Sequence, residues 1–194
     1  PVALAVPGGS ARRRAQLAAA LRARGVLALT EGERVVGLVA AARDPVALAD
    51  GGVLVATGDP HAPGALAEPL EELRLVADLG ARLGRTGRVA PEAFLPELLL
   101  ARAPRVAEML RRRVLGPLEA YAERRSSDLV ETLAAFVRCR LDRRRAAAEL
   151  HVHPNTLDYR LRRVSTLTGL DLRAPDDLAL VVLALRQAAL VRDA

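Results

Sequence analysis

Polar side chains recur along one face of the segment 154–167, and their chemistry suits the edges of DNA bases. Leu157, Leu161 and Val164 follow the i, i+4, i+7 spacing of the buried side of a helix. The opposite side then carries amide, carboxylate, phenol and guanidinium groups. Asn can bond adenine bidentately, and Arg can bond guanine or phosphate. These exposed candidates are Asn155, Asp158, Tyr159, Arg162 and Arg163.

Basic and small polar residues near this face extend the candidate site. The triplet Arg143, Arg144 and Arg145 lies shortly upstream, where it can meet phosphates beside a groove. Thr156 can reach a thymine methyl group or a phosphate, and His153 stands at the predicted helix cap. The predicted DNA-binding set is therefore Arg143, Arg144, Arg145, His153, Asn155, Thr156, Asp158, Tyr159, Arg162 and Arg163.

Two short helices joined by a tight turn must position these side chains. We expect helices over about 143–150 and 154–167, with Ala147 and Ala148 giving the small surface that close helix crossing needs. Leu150 and Val152 supply apolar residues before and within the turn. Pro154 fits the first position of the second helix, where its missing N–H costs nothing. This pattern predicts a helix-turn-helix whose second helix enters the major groove.

The same spacing also fits a plain pair of Arg-rich amphipathic helices. His151 and His153 are too close in sequence to share a helical face, so turn and capping roles are favoured over metal binding. Cys139 falls near the end of an amphipathic helix, and a buried small residue is the expected reading. The triplets Arg12–Arg14 and Arg111–Arg113 are expected to be solvated helix faces. No cofactor or metal is predicted.

Composition indicates a folded, helix-rich chain in a reducing compartment. Of 194 residues, 51% are hydrophobic and 2% aromatic, so Leu, Val and Ala must build the core. The formal net charge is +6 and every one of the 29 basic residues is Arg, so clustering tells more than the total. One cysteine excludes an internal disulfide, and we expect a cytoplasmic protein with no membrane span. The first residue, Pro1, indicates a fragment of a longer chain.

Apolar runs and turn residues divide the chain into three parts. Residues 1–90 have an α+β pattern of β-α-β-β-(α)-β-α, with a hairpin around Glu31-Gly32-Glu33. Residues 91–125 are a helical connector with segments near 92–101, 105–115 and 118–125. Residues 126–194 form an all-α helix-turn-helix domain, with Ser126-Ser127-Asp128 as its N-cap and Glu131 completing a capping box. The predicted fold is a sheet-and-helix lobe followed by this helical domain.

The C-terminal motif closely resembles the helix-turn-helix of PucR/CdaR-type transcriptional regulators. The likeness rests on Val152-His153, Asn155-Thr156-Leu157 and Tyr159-Arg160-Leu161, with Leu167–Leu172 following. Pro154 stands where such proteins often carry a basic residue. The resemblance implies that residues 1–90 are part of a degenerate GGDEF-like domain, with the hairpin at Glu31–Glu33 in place of the cyclase turn. That hairpin lacks the Gly doublet and the aromatic residue, so a non-catalytic regulatory or dimerisation lobe is expected.

These observations lead to one principal hypothesis and two rivals. The first is a non-enzymatic regulator that binds double-stranded DNA as a homodimer and responds to an unidentified effector. A second is a nucleotide- or metabolite-sensing α/β module whose helical domain binds other proteins. The third is a pure protein-interaction module.

Overall fold

The computed structural model describes residues 2–7, 9–40, 54–124 and 128–192. The chain divides into two compact units, with the boundary between Leu98 and Leu99. The first unit is built around a sheet and the second is helical.

A five-stranded mixed sheet forms the framework of the first unit. Its strands are β1 (Val2–Pro7), β2 (Leu27–Glu31), β3 (Arg34–Val39), β4 (Leu54–Pro60) and β5 (Gly87–Val89). Their order in the sheet is β2-β3-β1-β4-β5. All neighbouring pairs are antiparallel except β4 and β5. Central strand β1 is buried along most of its length, which explains its continuous apolar sequence.

Two helices supply most of the remaining core of this unit. Helix α1 (Ala11–Ala23) is capped by the Ser10 side chain, and its buried Ala18 and Leu21 join a cluster with Leu4 and Val6 of β1. Helix α2 (Ala67–Arg82) packs against β1 and β4. The sheet is thereby held to helices by apolar side chains, as the β-α-β-β pattern predicts.

Ion pairs hold the β2–β3 hairpin to α2. Glu31 accepts from Arg74 at 2.8 Å, and Arg34 pairs with Asp78. Gly32 begins the turn with a φ of +54°, a conformation that glycine adopts without steric cost. Glu31 is therefore engaged in a structural pair at the position where the resemblance places a cyclase turn.

Five helices make up the second unit together with the end of α3 (Leu95–Arg102). They are α4 (Pro104–Arg124), α5 (Leu129–Arg138), α6 (Arg143–Glu149), α7 (Pro154–Thr168) and α8 (Pro175–Arg192). One apolar cluster unites them. Its most deeply buried members include Val114, Leu115, Leu118, Leu133, Leu157, Val164 and Val181.

Helix α4 corrects the predicted break near Pro117. The sequence predicts separate helices over 105–115 and 118–125, but α4 continues through Pro117. Proline removes an internal hydrogen bond, a cost of about 3 kcal/mol in a helix interior. Val114, Leu115 and Leu118 flank it and are completely buried, so packing offsets that cost.

The described elements confirm the predicted fold class, a sheet-and-helix lobe followed by a helical domain. Asp128 caps α5 as predicted, accepting from the Glu131 N–H at 2.8 Å, although the Glu131 side chain pairs with Arg138 instead of completing a capping box. Ser126, Ser127 and the predicted helix between β3 and β4 lie outside the described residues. The three-part division 1–90, 91–125 and 126–194 stays a prediction. Helix α4 shares its apolar core with α5, α7 and α8.

Candidate nucleic-acid interface

The first helix of the motif begins at a well-formed cap. The Asp142 carboxylate accepts from the N–H groups of Arg144 and Arg145 at 2.9 and 3.0 Å. Ala146 and Ala147 are buried at the close crossing with α7. The prediction of Ala148 as a contact residue is wrong, because the cap at Asp142 sets a helical phase that turns Ala148 to solvent.

A left-handed residue makes the tight turn between α6 and α7. His151 has a φ of +52°, and its N–H donates to Ala148 O at 3.1 Å. The Val152 N–H donates to Ala147 O at 3.0 Å, which completes the paired bonds of a Schellman motif. Leu150 and Val152 are half-buried against the core. His151 therefore serves the turn, as its position predicts.

Helix α7 begins at the predicted cap. The His153 ring accepts from the Asn155 N–H through Nδ1 at 3.2 Å, and Pro154 occupies the first helical position. Gly169 ends the helix with a φ of +72°. The first-turn backbone of α7 is therefore organised by residues of the motif itself.

One side of α7 is anchored and the other is free. Leu157, Leu161 and Val164 are buried, as predicted. Asn155, Thr156, Tyr159 and Arg162 are exposed, and Tyr159 keeps 59% of its surface open. The predicted set omits Thr166, which is exposed one turn beyond Arg162, and its i+4 spacing from Arg162 was the available signal. We name Asn155, Tyr159, Arg162 and Thr166 the reading stripe.

The basic triplet lies at the start of α6. Arg143, Arg144 and Arg145 are all exposed. The Arg143 guanidinium reaches α7 and donates through Nη1 to Asp158 Oδ1 at 2.6 Å. Asp158 is thus half-buried and paired, instead of standing free beside Asn155 and Tyr159.

Arg163 occupies a different environment from the reading stripe. Its guanidinium lies over the ring of Tyr121 on α4, with 4.9 Å between the carbon and the ring centroid. Such a cation–π contact contributes about 0.5–1 kcal/mol or more. Arg163 is accordingly half-buried and joined to α4, while Arg162 next to it is exposed.

Hydrogen bonds to two carboxylates hold α5 and α6 together. Arg138 donates to Glu131 and Glu149, each at 2.6 Å, and these hydrogen bonds raise the Arg138 pKa. The Cys139 thiol donates to Glu149 at 3.0 Å. That bond, followed by burial, raises the pKa of Cys139, whereas the bonds from Cys139 and Arg138 lower the pKa of Glu149. Cys139 is a buried residue of the α5–α6 junction, as expected.

Contacts with α4 and α5 fix the C-terminal end and the middle of α7. Arg113 of α4 donates to the Thr168 carbonyl at 2.7 Å, where the helix has no internal donor left. Arg160 contacts the Thr132 hydroxyl of α5 at 3.4 Å. The helix that carries the reading stripe is therefore held at both ends and along its buried side.

The family comparison matches this helical arrangement. The family described as the PucR C-terminal helix-turn-helix domain matches residues 129–187. The C-terminal domain belongs to the PucR helix-turn-helix family. The resemblance predicted from the Asn155-Thr156-Leu157 and Tyr159-Arg160-Leu161 motifs is thereby confirmed. The PucR domain contains α5, α6, α7 and most of α8.

Curated relatives of the PucR domain are named as regulators. The DNA-binding transcriptional activator AdeR of Bacillus subtilis (strain 168) is 39% identical over 30% of this chain and 14% of its own length. The carbohydrate diacid regulator of Escherichia coli (strain K12) is 47% identical over 30% and 15%. The transcriptional activator PmfR of Paenarthrobacter nicotinovorans is 34% identical over 57% and 24%. The chain thus spans about a quarter or less of the length of these relatives.

Beyond the PucR domain, the described residues form a cavity but no cluster of metal ligands. Within the described ranges, no group of three or more His, Cys, Asp or Glu residues could hold a metal ion. A cavity of about 250 Å³ is lined in part by the acidic side chains of Asp59, Glu68, Glu72 and Glu92, with His61 beside them. No helix in the part of the chain that the structure describes is long and apolar enough to cross a membrane.

Proposed function

We propose that this protein is a DNA-binding transcriptional regulator whose helix α7 enters the major groove. The observation that carries the proposal is the reading stripe of the PucR domain. Its exposed amide, phenol and guanidinium groups lie on a helix whose other side is buried by Leu157, Leu161 and Val164. A helix held in this way can present side chains to base edges without losing its own packing.

The ten predicted residues divide in this proposal into those that contact DNA and those that hold α7 or a neighbouring side chain in place. Asn155 and Tyr159 contact base edges, and Thr156 contacts a thymine methyl group or a phosphate. Arg144, Arg145 and Arg162 contact the backbone, because they are exposed and basic. His153 caps α7 beside the DNA. Arg163 acts by fastening α7 to Tyr121, and Arg143 and Asp158 act as a pair.

The assembly and the first unit complete the proposal. One helix-turn-helix buries little DNA surface, so the protein binds paired half-sites as a homodimer. It acts in the cytoplasm, without catalysis, and an effector of unidentified chemistry controls it. Residues 1–90 serve as a degenerate GGDEF-like lobe for regulation or dimerisation. Support for their non-catalytic role comes from Glu31, which is engaged by Arg74.

A selection from random duplexes tests this function. The protein is equilibrated with the duplexes at several salt concentrations, and retained sequences are read out. A recurring two-fold site and a steep loss of affinity with salt are expected. Retention without any preferred sequence, or no retention at low salt, would contradict the proposal.

Substitutions in the reading stripe test the orientation of α7. Asn155→Ala should relax preference at one base pair of each half-site, with a loss of roughly 1–3 kcal/mol for the preferred base. Arg13→Ala on α1 is the control, since Arg13 is exposed and lies outside the PucR domain. An unchanged site preference in Asn155→Ala, with the fold intact, would exclude Asn155 from the bases.

A further inference from the structure

A single ion pair joins the start of α6 to the second turn of α7. Arg143 is the first residue of α6 and Asp158 the fifth residue of α7. Arg143 Nη1 lies 2.6 Å from Asp158 Oδ1. The Arg143 side chain is 48% exposed and the Asp158 side chain is 38% exposed. The pair thus lies at the surface, on the two helices that form the helix-turn-helix.

The geometry of this pair leaves half of the Arg143 guanidinium available. The bond to Asp158 uses Nη1, and no described residue accepts from Nε or Nη2. These two groups form one edge of the planar guanidinium, and their parallel N–H bonds match two oxygens of a phosphate. A guanidinium held at one side loses less freedom when the other side binds.

The ion pair with Arg143 offsets the repulsion that the Asp158 carboxylate would otherwise exert on the DNA backbone. A lone carboxylate on the second turn of a recognition helix would be repelled by the DNA backbone. Paired with Arg143, it instead restricts the position of a cation. In this motif the first helix crosses the backbone, so a side chain from the start of α6 is placed for phosphate.

We propose that Asp158 is a positioning residue that holds Arg143 for a bidentate contact with a backbone phosphate beside the half-site. This inference rests on the proposed function, because it requires a specific complex with DNA. It assigns Asp158 an indirect role, in place of the direct base contact predicted from its sequence position.

The decisive variant is Asp158→Asn, because charge and positioning predict opposite results. Removing a negative charge near DNA should tighten non-specific binding. Loss of positioning should weaken binding to the selected site, so the ratio of specific to non-specific affinity falls. Asp176→Asn, an exposed carboxylate at the start of α8, is the matched charge control and should leave that ratio unchanged.

Variants of Arg143 complete the experiment. Arg143→Ala should lower affinity for the selected site on the order of tenfold and reduce the salt slope by about 1, without changing which base is preferred at any position of the half-site. Arg143→Lys keeps the charge but lacks the planar edge, so it should recover the slope and only part of the affinity. In the Arg143→Ala background, Asp158→Asn should no longer lower specific affinity.

Each other outcome overturns the inference in an identifiable way. Specific binding by Asp158→Asn as tight as wild type removes the positioning role. A changed base preference in Arg143→Ala, without uniform weakening, shows that Arg143 reads a base instead of a phosphate. Failure of the wild-type protein to select any sequence removes the proposed function itself. Thermal melts of all variants confirm that each is folded.

Discussion

The sheet unit and the PucR domain use the same side chain, arginine, for different purposes. In the sheet unit, Arg34 and Arg74 pair with carboxylates and fasten α2 to the β2–β3 hairpin. In the PucR domain, Arg144, Arg145 and Arg162 stay exposed near α7, and no described carboxylate pairs with them. The comparison teaches that an arginine is structural where a carboxylate engages Nε and Nη2 of its guanidinium, as in Arg34 and Arg74. It stays available to a polyanion where that edge is unengaged, whatever the number of arginines.

Within the PucR domain as well, the positions of the carboxylates decide which arginines are paired and which stay exposed. Glu131 and Glu149 lie between α5 and α6, where Arg138 engages both of them. The exposed side of α7 carries no acid other than Asp158, which is paired. The surface around the reading stripe is left basic, as binding to DNA requires.

The largest effect is expected from removing the support beneath the reading stripe. Leu157 is completely buried, and Leu157→Ala should destabilise the second unit by about 2–5 kcal/mol. DNA affinity should fall with the folded fraction, as measured by urea denaturation and DNA titration. Leu27→Ala in the sheet unit is the control, because Leu27 is 76% exposed and its loss should change stability by less than about 0.5 kcal/mol. Comparable losses in both variants would contradict the burial pattern.

A paired set of arginine substitutions tests the comparison directly. Arg162→Ala should weaken DNA binding and reduce the salt slope by about 1, with stability unchanged. Arg74→Ala should cost at most about 1 kcal/mol of stability, because its partner is partly exposed, and should leave DNA affinity unchanged. Titrations at several salt concentrations and urea melts measure both. The comparison would be contradicted if Arg74→Ala weakened DNA binding and Arg162→Ala lowered stability instead.

An acid-dependent contribution to stability is expected from α4. Hydrogen bonds from Arg111 and Arg112 lower the pKa of Glu108 from 4.5 to about 2. A depressed pKa means that the ionised carboxylate stabilises the fold above pH 4.5, and that this contribution is lost as the pH falls through about 2. Glu108→Gln should therefore flatten the fall in stability over that interval. Urea melts from pH 6 to pH 2 test this, and parallel curves for both proteins would exclude it.

The smallest effect concerns the thiol at the α5–α6 junction. The hydrogen bond to Glu149 raises the pKa of Cys139, so alkylation by iodoacetamide near pH 8.5 should be slower than for a free thiol. Glu149→Gln removes the charged acceptor and should speed the reaction. In denaturing urea the two proteins should react at equal rates. Equal rates in the folded proteins would show that burial alone controls the thiol.

Local signals in the sequence predict much of the fold and most of the motif. Strand β1, the β2–β3 hairpin and α1 follow from apolar runs bounded by Pro7, Gly25 and Gly32. The start of α7 follows from His153-Pro154, and its buried side from Leu157, Leu161 and Val164. These features involve residues within a few positions of one another, so sequence spacing is enough to predict them.

Contacts between segments that are distant in sequence cannot be predicted from local spacing. Pro117 remains within α4 because Leu115 and Leu118 pack into a core made by other helices. Helical spacing allows Thr166 to lie in line with Arg162, but only the exposure of Thr166 in the structure places it in the reading stripe.

By itself, the sequence determined the order of β1, α1, β2, β3, β4 and α2, the helix-turn-helix, and most of the polar side chains exposed on α7. Those properties depend on caps, turns and periodicity, which act over one or two helical turns. The tertiary structure alone decided the partner of each charged group: Arg143 with Asp158, Arg163 with Tyr121, and Arg74 with Glu31. Electrostatic partners depend on distances of a few ångströms between segments that are often far apart in sequence, and only the packed chain sets those distances.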